Sequence, residues 1–331
     1  MIHELTRDEW LALRKSTIGA SEAAAACGES PYQSAIELWS YKTGLLTPPD
    51  ISDVEHILWG NIHEPAIVRE TCRREGLTLL DPLQAVEALG ENGDFEIVGL
   101  VEGRQLFLRS RIHPWMSATL DGIALAPGPK TLVSIEAKST GEWSSSDWKD
   151  GSYPDHHLLQ VAHQLAVVTP ISYGILAGLV GGNKLRIAPP ISRDAAPIDS
   201  LVVLEREFWR CVQEKDAPPA DGSKSSLKAL KLLHPDDNGE SIVLPESFCA
   251  LREREAELDE RIKAVTEPLT EELESVRIKI RDALGDFTFG VLPNGRGTYS
   301  LKTTERKGYV VEPTKFRQLR FTAPKTTKAR K

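Results

Sequence analysis

The chain has 331 residues, of which 40% are hydrophobic and 27% charged, and its formal net charge is −8. This composition is that of a soluble globular protein, and no apolar run approaches the roughly 18 residues that a membrane span requires. The first residues lack the basic and apolar blocks of a secretory signal, and the four cysteines lie far apart, so we expect reduced thiols in a cytoplasm.

Helical patterns dominate the first part of the chain. Thr6 and Glu9 form the pattern of a capping box, which predicts a helix over residues 6–15. Ser21 is expected to cap an Ala-rich helix that ends at Gly28. Further helices are predicted over residues 30–44 and 55–76.

Strand and helix patterns alternate in the middle of the chain. Residues 79–126 have the spacing of strands and turns, and the alternating segment LVSIEAKS is typical of another strand. A helix is predicted for HHLLQVAHQLAVV, a hairpin for SYGILAGLVGG with KLRIAPPI, and a further helix for residues 200–214. Together these elements predict an α/β core.

The sequence predicts three parts: a core over residues 1–217, a linker rich in Pro, Gly and Ser over 218–245, and a helical segment over 246–331. Apolar residues recur at spacings of three and four from Leu251 to Ile280, which favours a helical hairpin of coiled-coil type interrupted at Pro268. Short strands are expected around residues 287–302.

Charge is distributed unevenly along the chain. Residues 299–331 contain ten Lys or Arg and two acidic residues, so this basic tail carries +8 while the remainder of the chain carries −16. The tail is suited to contact with phosphates, although a tail that is simply solvated is an equally good interpretation.

The segment TLDGIALAPGPKTLVSIEAKST places Asp121 and Glu136 on neighbouring strands. Two carboxylates held at close range repel each other, and a divalent cation between them removes that repulsion. Lys138 lies on the same strand face as Glu136, because side chains alternate with period two. Mg²⁺ suits such oxygen ligands and binds substrate phosphates, so the pattern indicates a phosphodiester hydrolase. An ion pair on a surface strand is the alternative.

Six sequence blocks make the interpretation more specific. They occur in this order: WLALRKSTIGASEAAAACGESPY, LWSYKTG, WGNIHEPAIV, MSATLDG, IEAK and LLQVAHQLAV. The series resembles the YqaJ-type viral recombinase (lambda exonuclease) family of the PD-(D/E)xK nuclease superfamily, over roughly residues 5–215. Leu120 stands in place of the Pro of that motif.

The resemblance implies a restriction-endonuclease-like core, with a mixed central sheet flanked by helices. It also implies a processive, Mg²⁺-dependent 5′→3′ exonuclease that acts on double-stranded DNA ends. It implies two Mg²⁺ ions per active site, with Mn²⁺ as a substitute. It also implies a homotrimeric ring, and 3′ single-stranded tails that pass to a single-strand-annealing protein of a phage or mobile element, in the cytoplasm of a bacterial host cell.

By the same resemblance, Asp121, Glu136, the carbonyl of Ala137 and Glu64 bind the metal ions. Lys138 then activates the attacking water, and Gln160 lies beside it. Without the resemblance, Glu64 has the alternative of a solvated helix acid, and Gln160 that of a core or capping residue.

Three residues correspond to the family's contacts with a terminal 5′ phosphate: Arg14, Ser21 and Thr119. The guanidinium of Arg14 can bind a phosphate in bidentate fashion, and a helix that starts at Ser21 would direct its N–H groups toward an anion. Trp10 and Trp39 are expected in the core. His156, His157 and His163 have no Cys or carboxylate support for zinc and are interpreted as helix residues.

Two alternatives remain open at this point. One is a RecB-like or Cas4-like nuclease of different polarity, although the cysteines lack the grouping that an iron–sulfur cluster needs. The other is a catalytically inert module that binds DNA ends. The complete set of Asp121, Glu136 and Lys138 argues against an inert module, because buried charges are costly to retain without a role.

Overall fold

The computed structural model describes residues 2–51, 53–90, 93–128, 130–149, 151–305 and 315–320. The chain divides into two compact units, Met1–Pro235 and Asp236–Lys331. Most of the predicted basic tail lies outside the described residues.

The strands form two sheets in the first unit and a small hairpin in the second. In chain order they are β1 (Glu4–Leu5), β2 (Ile18–Gly19), β3 (Thr78–Leu79), β4 (Phe95–Val101), β5 (Gln105–Ser110), β6 (Met116–Thr119), β7 (Gly122–Ala126), β8 (Thr131–Thr140), β9 (Ile171–Val180), β10 (Lys184–Ile187), β11 (Ile191–Ser192), β12 (Phe289–Val291) and β13 (Thr298–Ser300). The last two are the strands predicted around residues 287–302.

The helices belong to both units, and the last of them lies in the second unit. They are α1 (Arg7–Lys15), α2 (Ala23–Ala26), α3 (Ala35–Lys42), α4 (Glu55–Glu75), α5 (Pro82–Leu89), α6 (Asp155–Val167), α7 (Ala195–Glu214), α8 (Lys224–Leu233) and α9 (Ser247–Leu284). The capping box of Thr6 and Glu9 is present at the start of α1, as predicted.

One sheet has the order β1-β4-β5-β6-β2 and the other β10-β9-β8-β7-β3, with β11 also paired to β9. Strand β8 is antiparallel to β7 and parallel to β9. Its residues from Leu132 to Ala137 are all buried, including the polar Ser134 and Glu136, so both faces of the strand are covered. The expected α/β core is confirmed, but its strands belong to two sheets instead of a single one.

The structure corrects four local predictions. Residues 82–89, expected among strands and turns, form helix α5. Ser21 lies inside a 3₁₀ turn, Ala20–Glu22, and does not cap a helix; the α-helix that follows has only four residues. The expected linker 218–245 contains α8, which Ser223 caps and which packs against α3 through the Ser225 hydroxyl and Glu37. This short amphipathic helix was not predicted because the segments on both sides of it are rich in polar residues, Pro and Gly.

The predicted helical hairpin is instead one continuous helix, α9, which passes through Pro268. Proline removes one N–H, and the carbonyl four residues earlier then lacks its helical donor. Residues 261–270 are all exposed, so water can satisfy that carbonyl and the helix is not forced to end. The apolar stripe of α9 lies on the surface, with Leu258 40% and Ile262 61% exposed.

Candidate active site

Asp121 lies where the chain leaves β6 of one sheet and enters β7 of the other. Its Oδ2 accepts a hydrogen bond from the backbone N–H of Ala137 at 2.9 Å, which fixes Asp121 beside β8. Gly122 allows this close junction, since a Cβ atom there would lie 2.7 Å from Cγ1 of Val68. The structure therefore brings Asp121 to the segment 136–138, as the strand pattern predicts.

Glu136 is the most heavily constrained carboxylate of the site and is only 2% exposed. Its Oε1 accepts from Nζ of Lys138 at 2.5 Å and from Nε2 of Gln160 at 2.6 Å. Its Oε2 accepts from Nε2 of Gln164 at 2.5 Å. Gln164 is a residue that sequence reasoning missed, although its position four residues after Gln160 puts both amides on one face of α6.

Glu64 projects from α4 and meets the end of the turn between β4 and β5 and the first residue of β5. Its Oε1 accepts from Arg104 and, at 2.8 Å, from Nε2 of Gln105. The same Gln105 nitrogen donates to Oδ1 of Asp121 at 3.1 Å, so one amide joins both carboxylates. Sequence reasoning missed Arg104 and Gln105, and no pattern in the sequence connects them to Glu64.

The electrostatics of the cluster favour a cation. Burial raises the pKa of Asp121 well above its usual range, and the nearby charges of Glu136 and Glu64 raise it further. Burial also raises the pKa of Glu64, although Arg104 opposes this. For Lys138, burial would lower the pKa, but Glu136 and Asp121 raise it above its ordinary value. The carboxylates therefore repel one another when they are ionised, and a bound cation would relieve that repulsion.

The donor set fits a divalent cation in its chemistry, because carboxylate and backbone carbonyl oxygens are the ligands that Mg²⁺ prefers. Within the described ranges, no three His, Cys, Asp or Glu side chains converge as a ligand group. Lys138 and glutamine amides hold the oxygens of Glu136, while Arg104 and Gln105 hold Glu64.

Arg14 and Ser21, two of the three residues assigned to a terminal phosphate, are in contact. Nη2 of Arg14 donates to Oγ of Ser21 at 3.1 Å and lies 3.3 Å from Oε1 of Glu22. The other oxygen of Glu22 binds the buried Lys42 at 2.6 Å. Sequence reasoning missed Glu22 and Lys42. Thr119 is the last residue of β6, two residues before Asp121.

The three histidines of α6 have different surroundings. The rings of His156 and His157 lie 4.1 Å apart, and burial, together with Lys138, lowers the pKa of His157 to about 3. His163 is fully buried and bonds Glu205 of α7 at 2.7 Å and the carbonyl of Ser117 at 2.9 Å. Trp39 is in the core as predicted, 5% exposed.

An α/β core that joins an Asp after one strand to Glu-Ala-Lys on the next, with a further carboxylate from a helix, defines a PD-(D/E)xK-like core. Residues 9–171 match the YqaJ-like viral recombinase domain, and this region of the chain belongs to that family. The matched range contains every residue assigned above to the metal ions, the attacking water and the terminal phosphate.

The chain is also similar to individual proteins along most of its length. The uncharacterized protein YqaJ of Bacillus subtilis (strain 168) is 27% identical over 280 residues, which are 82% of this chain and 79% of that protein. An alkaline exonuclease, LHK-Exo from Laribacter hongkongensis, is similar in structure with a TM-score of 0.44 and 18% identity, over 63% of this chain and 93% of its own. For SSO0001 the TM-score is 0.37 and the identity 13%, over 70% and 97% of the two chains. None of the described helices has the length and apolar character needed to cross a membrane.

Proposed function

We propose that the chain is a Mg²⁺-dependent, processive 5′→3′ exonuclease that degrades one strand of double-stranded DNA from its end. The 3′ single-stranded tail that it leaves would pass to a single-strand-annealing protein for recombination of a phage or mobile element. The observation that carries the proposal is the contact of Asp121 with the backbone of Ala137, between Glu136 and Lys138.

Each residue of the cluster has a role that its contacts support. Asp121, Glu136, the Ala137 carbonyl and Glu64 would hold Mg²⁺, which when bound neutralises phosphate charge and lowers the pKa of a water. Glu136 keeps the ammonium group of Lys138 within 2.5 Å, which positions Lys138 to orient the attacking water. Gln160 and Gln164 hold the buried Glu136 in one orientation.

Recognition of a 5′-phosphorylated end is assigned to Arg14, Ser21 and Thr119. Support comes from the contact of Arg14 with Ser21, which leaves an ionised guanidinium next to a hydroxyl group. Ser21 contributes its hydroxyl and not a helix terminus, because the helix that follows is too short to have a substantial dipole. Glu22 is then a counter-ion that the phosphate must compete with.

Processive digestion requires that the enzyme remain on DNA through many cleavages. The chain is acidic overall, so general attraction to phosphates is weak. A closed homotrimeric ring would retain the duplex topologically, and its heterologous interface would follow from cyclic symmetry. The exposed apolar stripe of α9, with Leu269 61% and Leu273 48% exposed, offers surface for a neighbouring subunit.

End-labelled linear duplexes test the proposal. With Mg²⁺, a label on the 5′ end should be released at once as a mononucleotide, while a label on the 3′ end of the same strand stays in long products. EDTA should prevent the release of either label. Early release of the 3′ label would refute the proposed polarity. Release of a label without a divalent cation would refute the metal requirement.

A further inference from the structure

Arg104, the last residue of the turn between β4 and β5, and Gln105, the first residue of β5, project into the carboxylate cluster, and the proposed hydrolysis assigns no role to them. Glu102 and Gly103 in this turn have φ values of 49° and 69°. Two consecutive positive φ values are typical of the type I′ turn of a tight hairpin, and the N–H of Arg104 closes it onto the Val101 carbonyl at 3.1 Å. This hydrogen bond therefore fixes the backbone from which the side chains of Arg104 and Gln105 extend.

Both side chains use carboxylate oxygens that a cation would need. Arg104 and Gln105 donate to the same oxygen of Glu64, and Gln105 also donates to Oδ1 of Asp121. A cation that binds Glu64 through this oxygen competes with the guanidinium, because the two positive charges repel each other at that distance. The turn thus supplies positive charge where the metal would otherwise supply it.

Arg104 also has space into which it can withdraw. Its side chain is 33% exposed and lies 3.5 Å from the exposed carboxylate of Glu102. It lines, together with Arg69, a cavity of about 190 Å³ next to Asp121. Because Arg104 borders both solvent and this cavity, its guanidinium can move away from Glu64 without passing through the core.

We propose that Arg104 is a built-in counter-ion of Glu64 that competes with the divalent cation, while Gln105 keeps Glu64 and Asp121 aligned. This inference rests on the proposed function, because it takes Glu64 as a cation ligand. Binding of the cation and release of the guanidinium are then thermodynamically linked. The released Arg104 becomes available to an anionic group such as a DNA phosphate.

A double-mutant cycle on cation binding tests the competition without DNA and without activity. Binding of Mn²⁺ is measured by electron paramagnetic resonance of the unbound ion, for the wild type, Arg104→Gln, Glu64→Gln and the double variant. Arg104→Gln should bind Mn²⁺ about tenfold more tightly, as expected when one charge-assisted contact no longer competes. In the Glu64→Gln background the same substitution should change nothing.

Two further variants complete the design. Arg74→Gln removes a guanidinium from the same helix as Glu64, where Arg74 pairs with Glu70, and should leave Mn²⁺ affinity unchanged. Arg104→Lys keeps the charge but loses the planar fork, and its affinity should fall between those of the wild type and Arg104→Gln.

The outcomes separate the inference from the function on which it rests. If Arg104→Gln tightens Mn²⁺ binding equally in the wild-type and Glu64→Gln backgrounds, Arg104 acts only through long-range repulsion of the cation. If Arg104→Gln leaves Mn²⁺ binding unchanged or weakens it, Arg104 helps to position the metal ligands. Either result overturns the competition between Arg104 and the cation, although a metal site remains. If neither the wild type nor Arg104→Gln binds Mn²⁺, the proposed metal site fails, and the inference fails with it.

Discussion

Replacing Glu205 by glutamine tests the buried ion pair that fastens α6, the helix with Gln160 and Gln164, to α7. The side chains of His163 and Glu205 are both 0% exposed. One ring nitrogen faces Glu205 at 2.7 Å and the other faces the Ser117 carbonyl at 2.9 Å. Because both partners are acceptors, the doubly protonated imidazolium satisfies both with N–H donors.

The pH dependence follows from the pKa of His163. Burial would lower this pKa, but Glu205, and then the Ser117 carbonyl, raise it above its ordinary value. The contribution to stability is complete below the unfolded pKa of about 6.5 and is lost as the pH rises through the raised folded pKa. Between these values the free energy of unfolding should fall by about 1.4 kcal/mol per pH unit. Glu205→Gln should abolish this slope and cost about 3 kcal/mol at pH 6.

Urea unfolding followed by tryptophan fluorescence measures the effect between pH 6 and 8.5. All seven tryptophans lie at or before Trp209, so the signal reports the first unit. Glu207→Gln is the matched control, since Glu207 is on the same helix but pairs with Arg210 at the surface. If the curves of the free energy of unfolding against pH are parallel for the wild type and Glu205→Gln, the assignment of His163 as a stabilising imidazolium is wrong.

Three further results are expected. DNA digestion at limiting Mg²⁺ should slow as the pH falls, because burial and Glu136 raise the pKa of Asp121 and protons then compete with Mg²⁺ for its carboxylate; a rate at limiting Mg²⁺ that does not change on acidification would contradict this. Arg14→Ala should reduce the preference for a 5′-phosphorylated over a 5′-hydroxyl end by about 2 kcal/mol in the ratio of kcat/KM, and equal rates for the wild type on both ends would rule out the phosphate site. Light scattering should give about three times the chain mass of 36.5 kDa, and Leu269→Glu should lower that mass if α9 joins the subunits; a wild-type monomer that still digests processively would exclude the ring.

The sequence was sufficient for the centre of the site. The period of two along β8 puts Glu136 and Lys138 on one side, and the short connection between Asp121 and β7 brings the third residue to them. Gln164 could also have been predicted from the sequence, because residues four positions apart lie on the same face of a helix. Arg104 and Gln105 were not, since their contacts with Glu64 depend on how a turn of one sheet meets a helix that packs on the other.

The errors in the fold have a common physical cause, which is that local signals were given more weight than solvent exposure and packing. Pro268 was taken to end a helix, but an exposed carbonyl can be satisfied by water, and α9 continues. The Pro, Gly and Ser around residues 218–245 indicated a linker, yet Ser223 caps a helix that packs through Ala229. Ser21 resembled an N-cap, but the chain forms a 3₁₀ turn at that point.

The most direct test of the central claim is whether the cluster around Glu136 hydrolyses DNA. Linear double-stranded DNA is incubated with Mg²⁺ and the wild type, Glu136→Gln or Glu142→Gln, and acid-soluble nucleotides are measured. Glu142 is a suitable control because it follows the same strand but forms an exposed ion pair with Lys184. We expect release of nucleotides by the wild type and Glu142→Gln and none by Glu136→Gln, with circular dichroism showing that all three are folded. Digestion by Glu136→Gln at the wild-type rate would contradict the assignment of the active site.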